Sequence, residues 1–124
     1  MTKPVIDINA PDIAARAERL SAAEIDELPF GVILLDREGI VRIHNATEVR
    51  ESGHDGVRLG NNFFAEPLGV NRRELNARIA RAKEDGPVDL EFAWKGDYGN
   101  PNREMRIRVQ SARQGGVWLF IERD

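Results

Sequence analysis

Three runs in the last third of the chain restrict its fold more than any other feature. Val88, Leu90, Phe92 and Trp94 alternate with Asp89, Glu91, Ala93 and Lys95. Met105, Ile107 and Val109 alternate with Arg106, Arg108 and Gln110, and Val117, Leu119 and Ile121 with Trp118 and Phe120. Successive side chains of a strand point to opposite sides, so a period of two predicts strands. Clean alternation of apolar with polar residues predicts that the first two are antiparallel strands with one wet face. Gln114-Gly-Gly116 predicts a tight turn between the second and third. The Gly, Asn and Pro of Gly96–Asn102 predict a long loop between the first and second.

Two further runs, Gly31–Asp36 and Ile40–Asn45, are joined by Asp36-Arg-Glu-Gly39, where Gly39 suits the left-handed position of a hairpin loop. Ahead of them, Ile13, Ala14, Ala17 and Leu20 recur at helical spacing. Ser21 with Glu24 makes a capping box for a helix over about 22–27, and Pro29 stops it. Ala46–Ser52 has room for about one and a half turns, and Asn61–Glu66 for one more. Asn71 with Glu74 opens the longest helix, which carries Leu75, Ile79 and Ala82 on one side and ends at Gly86-Pro87. Five strands belong in one sheet, so the helical middle crosses over and returns the chain beside the first hairpin. The expected fold is α+β: a five-stranded antiparallel sheet with helices packed on it and an N-terminal helical cap.

At 124 residues the chain reads as a single domain, with residues 1–27 as tail and cap and 28–124 as core. Residues 1–10 are expected to be a loosely held tail, and 11–28 either cap one face of the sheet or form a homodimer surface. A net charge of −3 with scattered basic residues argues against nucleic-acid binding. No apolar run reaches the roughly 20 residues that span a bilayer, so a cytoplasmic location without membrane association is expected. The lack of cysteine removes disulfides, thiol nucleophiles and cofactors attached through sulfur.

The stretch Ile40–Pro67 is different. It begins as a strand, then becomes an irregular polar run holding His44, Glu48, Ser52 and His54, and closes on Phe63–Phe64. Ionisable groups interleaved with apolar ones beside a sheet are what a ligand pocket is built from. His44, in strict alternation, shares a face with Ile40 and Arg42. Glu48 lies in the first turn of a short helix, with Phe63 and Phe64 expected to close over it. Trp94 and Tyr98, at and just after the end of a strand, are candidates for a lid. His54 is expected at the surface. Two convergent ligands, His44 and Glu48, with Ser52 a poor third, do not make a metal site.

Leu28–Leu34 (LPFGVIL), His44–Glu48 (HNATE), Gly60-Asn-Asn-Phe-Phe64, Glu91–Phe92 and Val117-Trp-Leu-Phe120 together resemble the PAS superfamily, and within it the photoactive yellow protein family. The similarity runs over about residues 11–124. It implies the PAS fold and a pocket lined by Glu48, by His44 in place of an aromatic hydroxyl, and by Ser52 in place of a threonine. In that family the chromophore hangs from a cysteine shortly after the NFF motif, where this chain reads Ala65-Glu-Pro-Leu-Gly-Val70. No covalent cofactor is therefore expected. The haem-binding branch of the superfamily uses a histidine on the long helix, and 71–85 has none.

The expected function is a sensory or regulatory module. It binds a small planar or aromatic molecule non-covalently at His44, Glu48, Ser52, Phe63, Phe64 and Trp94, and signals through an effector protein, since no output segment follows the last strand. A small acid–base enzyme using Glu48 and His44, or a structural dimerisation domain, are the alternatives. For Glu48, burial raises the carboxyl pKa and His44 lowers it, with burial expected to win.

Overall fold

β5 (Val117–Arg123) runs through the middle of one antiparallel sheet of order β2-β1-β5-β4-β3. Both sets of its side chains are apolar, which is what a strand covered on two faces requires. The computed structural model describes residues 6–52, 59–64, 72–97 and 100–123. β1 (Gly31–Leu35) pairs with β5 on one side, and β4 (Asn100–Ser111) on the other. β2 (Val41–His44) and β3 (Asp89–Asp97) are the outer strands.

One face is covered by the N-terminal segment. It contains α1 (Ile13–Ala17) and α2 (Ala22–Asp26), the latter with the Ser21/Glu24 capping box in place. Ile13, Ala17, Ile25 and Leu28 are buried there with Val32, Trp118 and Phe120. The Trp118 and Phe120 rings stack, and Phe30 meets Phe120 edge-on. The other face carries Ile33, Leu35, Val41, Ile107, Val109, Leu119 and Ile121, over which α4 (Arg72–Glu84) lays Leu75 and Ile79. α3 (Ala46–Ser52) packs against β1.

The expected wet face of β4 is covered instead. Arg108 and Gln110 are buried: Arg108 donates to the carbonyls of Ile8 and Ala10 at 2.8 and 2.6 Å, and Gln110 to that of Pro11 at 2.8 Å. The Gln110 amide oxygen accepts from the Ala14 N–H at 2.9 Å. Side chains read as solvated are thus the anchors for an N-terminal segment that has no strand of its own to pair with. For the same reason residues 6–10 are not a loose tail, since Ile6 and Ile8 are buried in the cap core. Residues 1–5 lie outside the described residues.

The expected long loop at 96–102 is mostly strand. β3 and β4 pair out to Asp97 and Asn100, with a register shift after Lys95. β4 outruns β5 beyond Met105, and Pro101 lies in this outer stretch, where a sheet tolerates proline. The expected helical turn at 61–66 is, over 61–64, a strap along the β2 edge. Ile40 bridges Asn62, the Val41 N–H donates to Asn61, and the Phe63 N–H donates to Gly39. Residues 65 and 66 lie outside the described residues.

Candidate functional site

The site is built on the α4 face, where α3 crosses the start of β1. Asn45, the residue before α3, is fully buried and its side chain uses every hydrogen-bonding position it has. Its amide oxygen accepts from the Val32 and Glu48 N–H groups at 2.9 and 3.0 Å. Its amide nitrogen donates to the Ile25 and Phe30 carbonyls at 2.9 and 3.1 Å. Thr47 donates to the Leu28 carbonyl at 2.6 Å, and the Ala46 N–H donates to Asp26 at 2.9 Å. The HNATE run is therefore a cap and clamp that joins α2, β1 and α3. At the other end of α3, Arg103 reaches from β4 to the Glu51 carbonyl at 3.0 Å.

That clamp aims Glu48 across Gly31. A Cβ at 31 would run into the Glu48 Oε1, so it is glycine that lets the carboxylate lie against the strand here. The Glu48 carboxylate is met by the end of β5. The Arg123 Nη1 and Nη2 donate to Oε1 and Oε2 at 2.6 and 2.9 Å, and both side chains are over nine-tenths buried. Two parallel charge-assisted bonds are the geometry of an ionised carboxylate with a guanidinium. The expectation of a readily protonated Glu48 gives way for this reason. It set burial against His44 and left out a buried cation.

Arg123 was missed, although the signal was present. Val117, Leu119 and Ile121 define the inward set of β5, and position 123 continues it. A cation on the core side of a strand needs a carboxylate partner. Gly31 was a second clue, because a glycine within a strand marks a close approach.

The register places the other candidates. Arg123 pairs with Met105, and Met105 with Trp94, so these three form a row across the sheet, with Trp94 half-buried against the core. Phe92 follows Trp94 on the same face, with ring centroids 5.5 Å apart. His44 is opposite Ile33. Strict alternation put His44 with Ile40 and Arg42, but the β1–β2 register slips between Leu34 and Leu35. That slip brings Val41 and His44 to one face and sends Ile43 to the other. His44, Glu48 and Trp94 thus share a face with Arg123.

The phenylalanines divide. Phe63 belongs to the core with Val41, Leu75 and Met105. Phe64 meets Phe63 edge-on and lies against Gly39 in the hairpin turn. Gly31 and Leu35 are four strand steps apart, so Phe64 is roughly 13 Å along β1 from Glu48. It walls a different depression of about 220 Å³, with Gly39, Asn76 and Ile79. Among the described residues no three His, Asp or Glu side chains converge. The Ser52 side chain, His54 and Tyr98 lie outside the described residues.

The chain is similar to several known proteins. The photoactive yellow protein of Cereibacter sphaeroides is 32% identical over 100 residues, which cover 77% of this chain and 80% of that protein. The photoactive yellow protein of Rhodothalassium salexigens is 27% identical over 123 residues, covering 96% and 98%. The photoactive yellow protein domain of the sensor histidine kinase Ppr from Rhodospirillum centenum superposes with a TM-score of 0.76 at 30% identity, over 89% of this chain and 99% of that domain. The PAS domain of an HTR-like protein from Haloarcula marismortui shares the fold, with a TM-score of 0.53 at 17% identity. No family model matches. A thioester-linked chromophore does not fit the residues present, because none of the 124 is cysteine. The chain is a PAS-type sensory domain and belongs to the photoactive yellow protein family, as a member without the cysteine that would attach a chromophore.

Proposed function

We infer that this domain binds a small planar or aromatic molecule non-covalently on the α4 face and reports its presence to an effector protein. The observation that carries the reading is the buried Glu48–Arg123 pair beside Gly31. An ion pair withdrawn from water is costly to maintain, and hydrophobic residues of similar volume would serve stability as well or better. Glu48, His44 and Trp94 are the proposed ligand contacts nearest the pair, with Phe63 as a core-side wall. Ser52 extends the set, whereas Phe64, expected there from the sequence, walls the separate depression at the hairpin end of β1. The family's thioester photochemistry is not part of the proposal, since it needs a sulfur nucleophile. A cytoplasmic setting goes with this reading and rests on the sequence alone, as does a homodimer through residues 11–28.

The acid–base enzyme loses support from the same pair. A carboxylate held by both guanidinium nitrogens is a poor proton donor at neutral pH. The test is native mass spectrometry of protein purified from its own host. A retained small molecule, released on denaturation and lost in Glu48→Gln, is the expected result. Protein that emerges without ligand, and whose α3 amide signals do not move with any planar aromatic acid or amide, would overturn the reading in favour of a structural domain.

A further inference from the structure

The two outer strands of the sheet are treated differently. The β2 edge is strapped: Ile40 bridges Asn62, the Val41 N–H donates to Asn61 and the Gly60 N–H to Val41. β3 is the last strand on the other side, and among the described residues no segment pairs with its outer edge. The Ser111 N–H donates to the Val88 carbonyl at 3.1 Å, so Val88 turns its backbone groups towards β4. By the two-residue period, Leu90, Phe92 and Trp94 do the same. The backbone groups of Asp89, Glu91, Ala93 and Lys95 therefore point off the sheet. These four residues are all exposed, while Leu90, Phe92 and Trp94 are half-buried.

An open edge of this length is a template for another strand, and charged residues along it are a usual means of refusing the wrong one. Here the charges also select a partner. We propose that β3 pairs with β3 of a second copy of this chain, antiparallel, about a two-fold axis at Phe92.

In that register Asp89 lies opposite Lys95 of the second copy and Lys95 opposite its Asp89, so both charged pairs are of opposite sign. Leu90 faces Trp94 of the second copy twice, and Phe92 faces its own equivalent. Glu91 faces Ala93 of the second copy. The outward residues 89, 91, 93 and 95 fall at the hydrogen-bonded positions, as their orientation requires. The pairing uses the regular part of β3 and stops before the register shift that follows Lys95. Moving the axis to Ala93 would set Asp89 opposite Asp97 and run into that shift. Self-pairing of one short strand buries little area, so the dimer is weak and is seen only at high concentration.

The chain has no cysteine, which permits a direct test. Residues opposite each other at a non-hydrogen-bonded position have Cα atoms about 4.5 Å apart, within the range of a disulfide. Phe92→Cys in the full chain should form a disulfide-linked dimer under mild oxidation. Lys95→Cys should not, because the two copies of residue 95 are about six strand steps, or roughly 20 Å, apart. Sedimentation equilibrium of the unmodified chain up to about 1 mM should show a monomer–dimer equilibrium. Lys95→Glu should weaken it at least about tenfold by turning both attractive pairs repulsive. Ala93→Pro should abolish it, since the lost N–H faces outward, with circular dichroism checking that the sheet remains. A monomer at every concentration, faster cross-linking through Lys95→Cys or Ala93→Cys than through Phe92→Cys, or a dimer indifferent to Lys95→Glu and Ala93→Pro would each overturn the proposal.

Discussion

Arg123, the last described residue of β5, holds Glu48 of α3 through both guanidinium nitrogens, 75 positions apart in the chain. The pair lies across Gly31, so one helix, one strand end and one glycine form a single unit. Removing one member of a buried pair leaves the other charge uncompensated, which costs about 3–5 kcal/mol. Arg123→Ala is expected to fall in that range by urea unfolding, and Glu48→Gln to cost less because the amide still accepts a hydrogen bond. Replacing both, as in Glu48→Leu with Arg123→Met, should recover most of the loss.

Gly31→Ala tests the same unit sterically. The new Cβ would collide with the carboxylate, at a cost of about 1–3 kcal/mol. In a Glu48→Ala background the added cost should shrink, and a double-mutant cycle measures the difference. Full additivity would mean that the carboxylate does not lie over the glycine.

Asn45→Ala should be among the most damaging single changes in the chain. It strands the Val32 and Glu48 N–H groups and the Phe30 carbonyl in the interior, while the Ile25 carbonyl keeps the bond from the Leu28 N–H. At about 1–3 kcal/mol for each buried group left unsatisfied, a loss of about 4 kcal/mol or more is expected. Asn45→Asp should restore the two accepted bonds and not the two donated ones, giving an intermediate midpoint in the same unfolding experiment.

Asp36 gives the β1–β2 hairpin an acid-sensitive element. Burial pushes its carboxyl up, but hydrogen bonds from the Ile40 N–H, the Arg42 guanidinium and the Glu38 N–H outweigh this and leave it below the ordinary value of 3.8. The unfolded chain therefore binds the proton more readily than the folded one. The contribution is present above the ordinary aspartate range and is lost as pH falls through the folded value. Asp36→Asn should flatten the part of the stability–pH curve below about pH 4. An unchanged acid limb would show that the turn does not depend on this charge.

Arg108 and Gln110 should govern how firmly the N-terminal segment is held. Hydrogen exchange of amides in Ile8–Ala14 is expected to accelerate in Arg108→Met and Gln110→Ala, while amides in β1 and β5 keep most of their protection. Equal loss throughout the sheet would mean that the cap and the sheet open as one unit.

Treatment with an activated hydroxycinnamic acid should add no covalent mass and no stable visible absorption band. A mass increase of one acyl group would reveal a nucleophile other than sulfur.

What could be read from residues alone was whatever depends on neighbours in the chain. The alternation in β3, β4 and β5, the Ser21/Glu24 capping box, the Gly39 turn and the apolar stripe of α4 each follow from backbone periodicity or a local hydrogen bond. The family resemblance was carried by short motifs instead, among them His44–Glu48 and Gly60-Asn-Asn-Phe-Phe64. The partner of Glu48 was a different matter, because nothing within a few residues of it supplies the buried cation. A one-residue slip beside Leu35 was enough to move His44 to the other face, and alternation counted along one strand cannot register a bulge made with its neighbour. Arg108 looked solvated for the same reason, since long polar side chains satisfy either water or a peptide carbonyl. Which of the two they meet is decided only when residues 6–14 return across the sheet.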